Sequence, residues 1–117
     1  MKKEMTKKQL EKALEGLRKE CALPNWDGYN ANALNKKSLK FAKSFLAKCG
    51  KRILPTSVGA DTDGCVTFEW YKSQTQQMSI SFEAGGKIAY AATIYGTKAH
   101  GYAWEKELLK ELDFWLQ

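Results

Sequence analysis

The hydrophobic pattern of this chain changes period at Pro55, and that change constrains the fold more than any other feature. Before Pro55 the apolar residues recur at helical spacing, which marks helices with one buried stripe. After it they alternate, which marks strands with one buried face. The first helix opens at Thr6, because Thr6-Lys7-Lys8-Gln9 has the form of a capping box. Leu10, Ala13, Leu14, Leu17 and Cys21 form its stripe, and Pro24 prevents its continuation. A second helix is expected from Asn35 to Cys49, with Asn35 as N-cap and Gly50 as a left-handed C-cap. Its stripe is Leu39, Ala42, Phe45, Leu46 and Cys49.

Beyond Pro55, Thr56 to Ala60 reads as a short strand, and Asp61-Thr62-Asp63-Gly64 as a hairpin turn. Val66, Phe68 and Trp70 then alternate within Cys65 to Lys72, followed by Met78, Ile80 and Phe82. After a turn at Ala84-Gly85-Gly86, Ile88, Tyr90, Ala92 and Ile94 alternate again. Turns this short imply antiparallel neighbours, because a parallel crossover needs about a dozen residues or more. Gly96 to Gly101 reads as a loop, and Trp104 to Leu116 as a C-terminal helix. Residues 1–117 are thus expected to form one α+β domain: two N-terminal helices, a four-stranded antiparallel meander and a C-terminal helix. The helices must cover the apolar sheet face. The opposite face, with Thr67, Glu69, Tyr71, Ser79, Ser81, Ala89, Ala91 and Thr93, is polar and small, and is left for solvent or a partner.

Charge is polarised along the chain. Residues 1–52 carry 14 Lys/Arg against 5 Asp/Glu, a net of +9, whereas residues 53–117 carry 5 against 8, a net of −3. On the second helix Lys36, Lys40 and Lys43 stack on one exposed face, with Lys37 beside them. These four lysines are the candidate partner-binding residues, and the partner they fit is a protein with an acidic surface. No apolar run is long enough for a transmembrane helix, and the charged Met1-Lys2-Lys3-Glu4 start lacks the apolar stretch of a secretory signal, so a cytoplasmic protein is expected. Cys21, Cys49 and Cys65 are too widely spaced for a zinc knuckle or a C-x-x-C redox motif, and Cys21 and Cys49 are expected to be buried.

Nothing in the chain assembles into catalytic chemistry. His100 is the one histidine and has no nucleophile motif with it. Asp61 and Asp63 begin like a calcium loop, but the distal ligands are missing. No catalytic residue, metal site or cofactor is therefore expected. The alternative to protein binding is sequence-independent nucleic-acid binding through the same lysines. Arg18 and Arg52 are the only arginines, which argues against specific base readout, and the last helix is net acidic.

Between the two helices lies Leu23-Pro24-Asn25-Trp26-Asp27-Gly28-Tyr29. Pro24 bars the helix, Gly28 permits positive φ, and Asn25 or Asp27 can bond amides that the turn leaves free. Trp26 is expected to plug the gap between helices and sheet; the functional alternative is an exposed anchor for a partner. Together with Leu54-Pro55, Asp63-Gly64 and Glu69-Trp70, this corner resembles a group of small bacterial and phage proteins with an L-P-x-N-W-D-G-x-x-A corner. Here the residue between Pro and Asn is absent. The resemblance covers roughly residues 20–95. It implies a gene carried near mobile elements, and a non-catalytic inhibitor of antitoxin or phage anti-defence (anti-CRISPR-like) type. Its partner would be a protein such as a nuclease or defence complex.

Overall fold

A computed structural model describes residues 5–116 of the chain. Helix α1 (Lys7–Glu20) begins at the capping box: Thr6 Oγ1 accepts from the Gln9 N–H at 3.2 Å, and Gln9 Oε1 accepts from the Thr6 N–H at 2.8 Å. Helix α2 (Lys36–Lys48) begins at Asn35, whose Oδ1 accepts from the Lys37 and Ser38 amides. Its far end differs from expectation. Gly50 has φ −74° and leads into a 3₁₀ turn, Lys51–Ile53, instead of adopting a left-handed cap. The Cys49 N–H bonds the Phe45 and Leu46 carbonyls, and two further carbonyls are satisfied from outside the helix. Lys7 Nζ donates to Ala47 O and Cys49 O, each at 2.9 Å, so α1 starts where α2 ends and the two run antiparallel.

Five strands follow: β1 (Ser57–Ala60), β2 (Val66–Ser73), β3 (Gln76–Phe82), β4 (Ile88–Ile94) and β5 (Thr97–Ala103). They form one antiparallel sheet in chain order, and α3 (Glu105–Trp115) closes the chain. The meander therefore has five strands, not four, and the segment read as a loop is most of β5. Tyr95 (φ 51°) and Gly96 (φ 83°) make the two-residue connection, both left-handed, as a type I′ hairpin requires. On the helix side β5 offers Ala99, Gly101 and Ala103. The neighbouring strand fills that space: a Cβ on Gly101 would lie 2.9 Å from Tyr90 Oη.

All three helices contribute to one core on one sheet face. Leu10 and Leu14 of α1, Phe45 and Leu46 of α2, and Leu108 and Leu112 of α3 meet Val66, Phe68, Trp70, Ile80 and Phe82. Phe45 stands edge-on to Phe68, Trp70 and Phe82, with centroids 6.0, 6.4 and 5.4 Å away. Two buried hydrogen bonds fix the layers to each other. Ser38 Oγ accepts from the Val66 N–H at 2.8 Å, and Trp70 Nε1 donates to Ile53 O at 2.9 Å. No helix among the described residues is long and apolar enough to cross a membrane.

Candidate functional site

The burial of α2 places its lysines. Ser38, Leu39, Ala42, Phe45 and Leu46 point inward, so Lys36, Lys37, Lys40 and Lys43 are all exposed. Lys43 lies 3.5 Å from Glu15 of α1, an ion pair open to solvent and of small energetic weight. Glu15 is held more firmly by Arg18; that hydrogen bond is the main cause lowering its pKa, with Lys43 a lesser one. Lys36, Lys37 and Lys40 have no side-chain partner among the described residues. They also sit at the positive end of the helix dipole, with no acidic residue in the first turn to offset them.

The Glu15–Lys43 contact aligns two helix stripes. Lys8, Lys12 and Lys19 share the Glu15 stripe of α1 by helical spacing, and all three are exposed. The basic surface therefore spans both helices, with Glu15 in its seam. Charge along the sequence pointed to both N-terminal helices, but the residues it singled out, Lys36, Lys37, Lys40 and Lys43, all lie on α2. The spacing of Lys8, Lys12 and Lys19 was the available signal, but the register of one helix against the other is a tertiary fact. Two other cations are engaged elsewhere: Lys7 caps α2, and Lys48 pairs with Glu105 at the start of α3.

The corner lies between these helices and is closed on itself. The Asn25 N–H donates to Ala31 O, Asn25 Oδ1 accepts from the Asn30 N–H, and Asp27 Oδ1 accepts from the Tyr29 and Ala31 amides. Gly28 takes φ 79°, and Asn25 and Asn30 also adopt left-handed backbone. Trp26 does not fill the gap between helices and sheet. It is half-buried, outside the core cluster, and its Nε1 donates to Asn32 O at 2.7 Å within its own loop. The tie to the rest of the fold is backbone instead. Leu34 N–H reaches Cys21 O, Asn32 N–H reaches Thr62 O, and Asn35 N–H reaches Gly64 O. Gly64 has φ 88°, and a Cβ there would lie 2.5 Å from Ala33 O, so the β1–β2 turn presses directly on the approach to α2. Tyr29 projects from the corner almost fully exposed.

The uncovered sheet face holds a shallow depression of about 570 Å³. The register puts Glu69, Ser79, Ala91 and His100 in one cross-strand row. Ser79 and His100 are two strand spacings apart, roughly 10 Å between backbones, and no hydrogen bond joins them. The extra strand adds Lys98, His100 and Tyr102 to this face, residues that the loop reading had left off the sheet. Among the described residues, no group of three His, Cys, Asp or Glu side chains could hold a metal ion. Cys21 and Cys49 are buried; burial pushes the Cys49 thiol up to about 12 and raises that of Cys21. Cys65 is pushed up to about 11 by burial and by the neighbouring Asp63 carboxylate. All three are thus weak nucleophiles at neutral pH.

Compared with family models, curated proteins and solved structures, the chain has no match in any of the three.

Proposed function

We propose that this chain is a small non-catalytic binding protein that docks the lysine surface of α1 and α2 on an acidic face of a partner protein and inhibits it. The observation that carries this reading is the placement of Lys36, Lys37 and Lys40. They have no side-chain partner among the described residues, and they are exposed and gathered at the positive end of a helix dipole, where local stability would favour carboxylates. Residues that break a local rule without a compensating contact mark places where function outweighs stability. A negative partner surface would supply the missing compensation. The inhibitor class, antitoxin or phage anti-defence, follows from the resemblance carried by the corner and belongs to the same proposal.

The competing reading, sequence-independent nucleic-acid binding, uses the same surface, now widened by Lys8, Lys12 and Lys19. A gel-shift series with duplex and single-stranded oligonucleotides across a salt gradient separates the two. Protein docking predicts no shift at physiological salt. A shift whose affinity falls steeply with added salt, as counterion release demands, would transfer the lysines to a nucleic-acid role.

A further inference from the structure

A second surface, at the opposite pole of charge, is built around β5 and α3. β5 is a sheet edge, and its register to β4 fixes which groups are free. Ile94 and Thr97 flank a two-residue hairpin and are therefore a hydrogen-bonded pair; the pairing then alternates. Thr97, Ala99, Gly101 and Ala103 bond to β4, so the N–H and C=O groups of Lys98, His100 and Tyr102 point outward along the free edge.

Directly beneath this edge is a cleft of about 550 Å³ between the sheet and α3. Its floor is apolar, with Met78, Tyr90 and Ile94, and Ala99 is exposed there although it lies on the helix-covered face. Small β5 side chains leave the space open. Its helix wall carries Glu107 and Glu111, one turn apart. The other acids of α3 are differently placed: Glu105 pairs with Lys48 and Asp113 with Arg52. Glu107 and Glu111 have no ion-pair partner among the described residues. Trp115, in the same wall, has a buried indole N–H without an acceptor among the described residues. Phe114 and Tyr95, exposed to 76% and 82%, flank the opening.

We propose that this cleft and edge receive an extended segment of a partner protein, added to β5 as a sixth strand. Its helix-side residues would be alternately apolar and basic. The free main-chain groups of Lys98, His100 and Tyr102 supply the ladder. Side chains on alternate positions enter the cleft, where the apolar floor takes aliphatic groups and the two carboxylates take an ammonium or guanidinium. This binding mode is independent of the lysine surface on α1 and α2, and concerns chemistry of the opposite sign.

The test is a selection from a random nonapeptide library on the purified full chain, with E107K/E111K selected in parallel. Both glutamates are exposed and Glu107 lies in the first turn of α3, so the double variant is expected to stay folded and to melt at most about a few degrees below wild type. The proposal expects wild type to enrich peptides with apolar and basic residues at alternate positions. Those peptides should move the amide resonances of Lys98, His100 and Tyr102, and bind the double variant about tenfold or more weakly. Three outcomes would overturn it: no enrichment, equal affinity for E107K/E111K, or resonance shifts confined to α1 and α2. Sedimentation velocity adds a fourth, since dimerisation through β5 would assign the edge to a second copy of this chain.

Discussion

Ser38 shows how much one polar atom can carry. It is fully buried on the inner face of the first turn of α2, and its hydroxyl accepts the first amide of β2. Removing the hydroxyl leaves that amide unpaired in the interior. Ser38→Ala is therefore expected to cost about 1–3 kcal/mol in denaturant unfolding, the penalty of an orphaned buried donor. Nothing in the sequence distinguished Ser38 from the half-buried Ser44 of the same helix, because its partner lies 28 positions away. Trp26 is the reverse case. Its neighbours Pro24, Asn25, Asp27 and Gly28 were legible as turn chemistry, since each acts on backbone a few residues away. Its own side chain was not, because whether an indole turns inward depends on what the turn faces. Half-buried and hydrogen-bonded within its loop, Trp26→Ala should cost about 1–2 kcal/mol, below the 3–5 kcal/mol typical of a core aromatic. A loss in that higher range would place the ring in the core and contradict the geometry described here.

At the scale of elements, the contrast lies between β5 and everything before it. The helices announced themselves through Thr6 and Asn35 caps and repeated apolar stripes, and β2 to β4 through alternating Phe, Trp and Ile. β5 had neither signal. Its inward residues are small because Tyr90 covers Gly101, and its turn uses Tyr95 where Asn is the usual left-handed residue. Gly50 misled for a related reason: a side chain from another helix, Lys7, took over the role of the cap. The turn gives a direct check. Tyr95→Asn keeps the left-handed conformation with less strain, so it should stabilise the protein by up to about 1 kcal/mol. The chemical-denaturation midpoint should rise while the slope stays unchanged. A lower midpoint would mean that the Tyr95 ring, though exposed, makes a contact worth more than the strain.

The whole molecule is an electrostatic couple. Lysines occupy the outer surface of the α1–α2 pair, while the flank of α3 beside the cleft is acidic. The sum over each half of the chain already showed the polarity, and the three- and four-residue spacing on α2 already showed Lys36, Lys40 and Lys43, with Lys37 beside them. The folded arrangement adds the α1 stripe, ties Lys43 to Glu15, and leaves Lys36, Lys37 and Lys40 at a helix N-terminus without a side-chain partner among the described residues. Charges of this kind act chiefly on the rate of encounter with an oppositely charged partner, and salt screens them over about 10 Å. The decisive measurement is therefore kinetic. A partner captured from the native host by the wild-type chain is presented to wild type and to K36E/K37E/K40E, and association rates are followed across a salt series. Docking through the lysine surface predicts an association rate about tenfold or more slower for the variant at low salt, with the two converging as salt rises, while the variant melts no lower than wild type because carboxylates suit the positive end of the α2 dipole. Equal association rates at every salt concentration would contradict it.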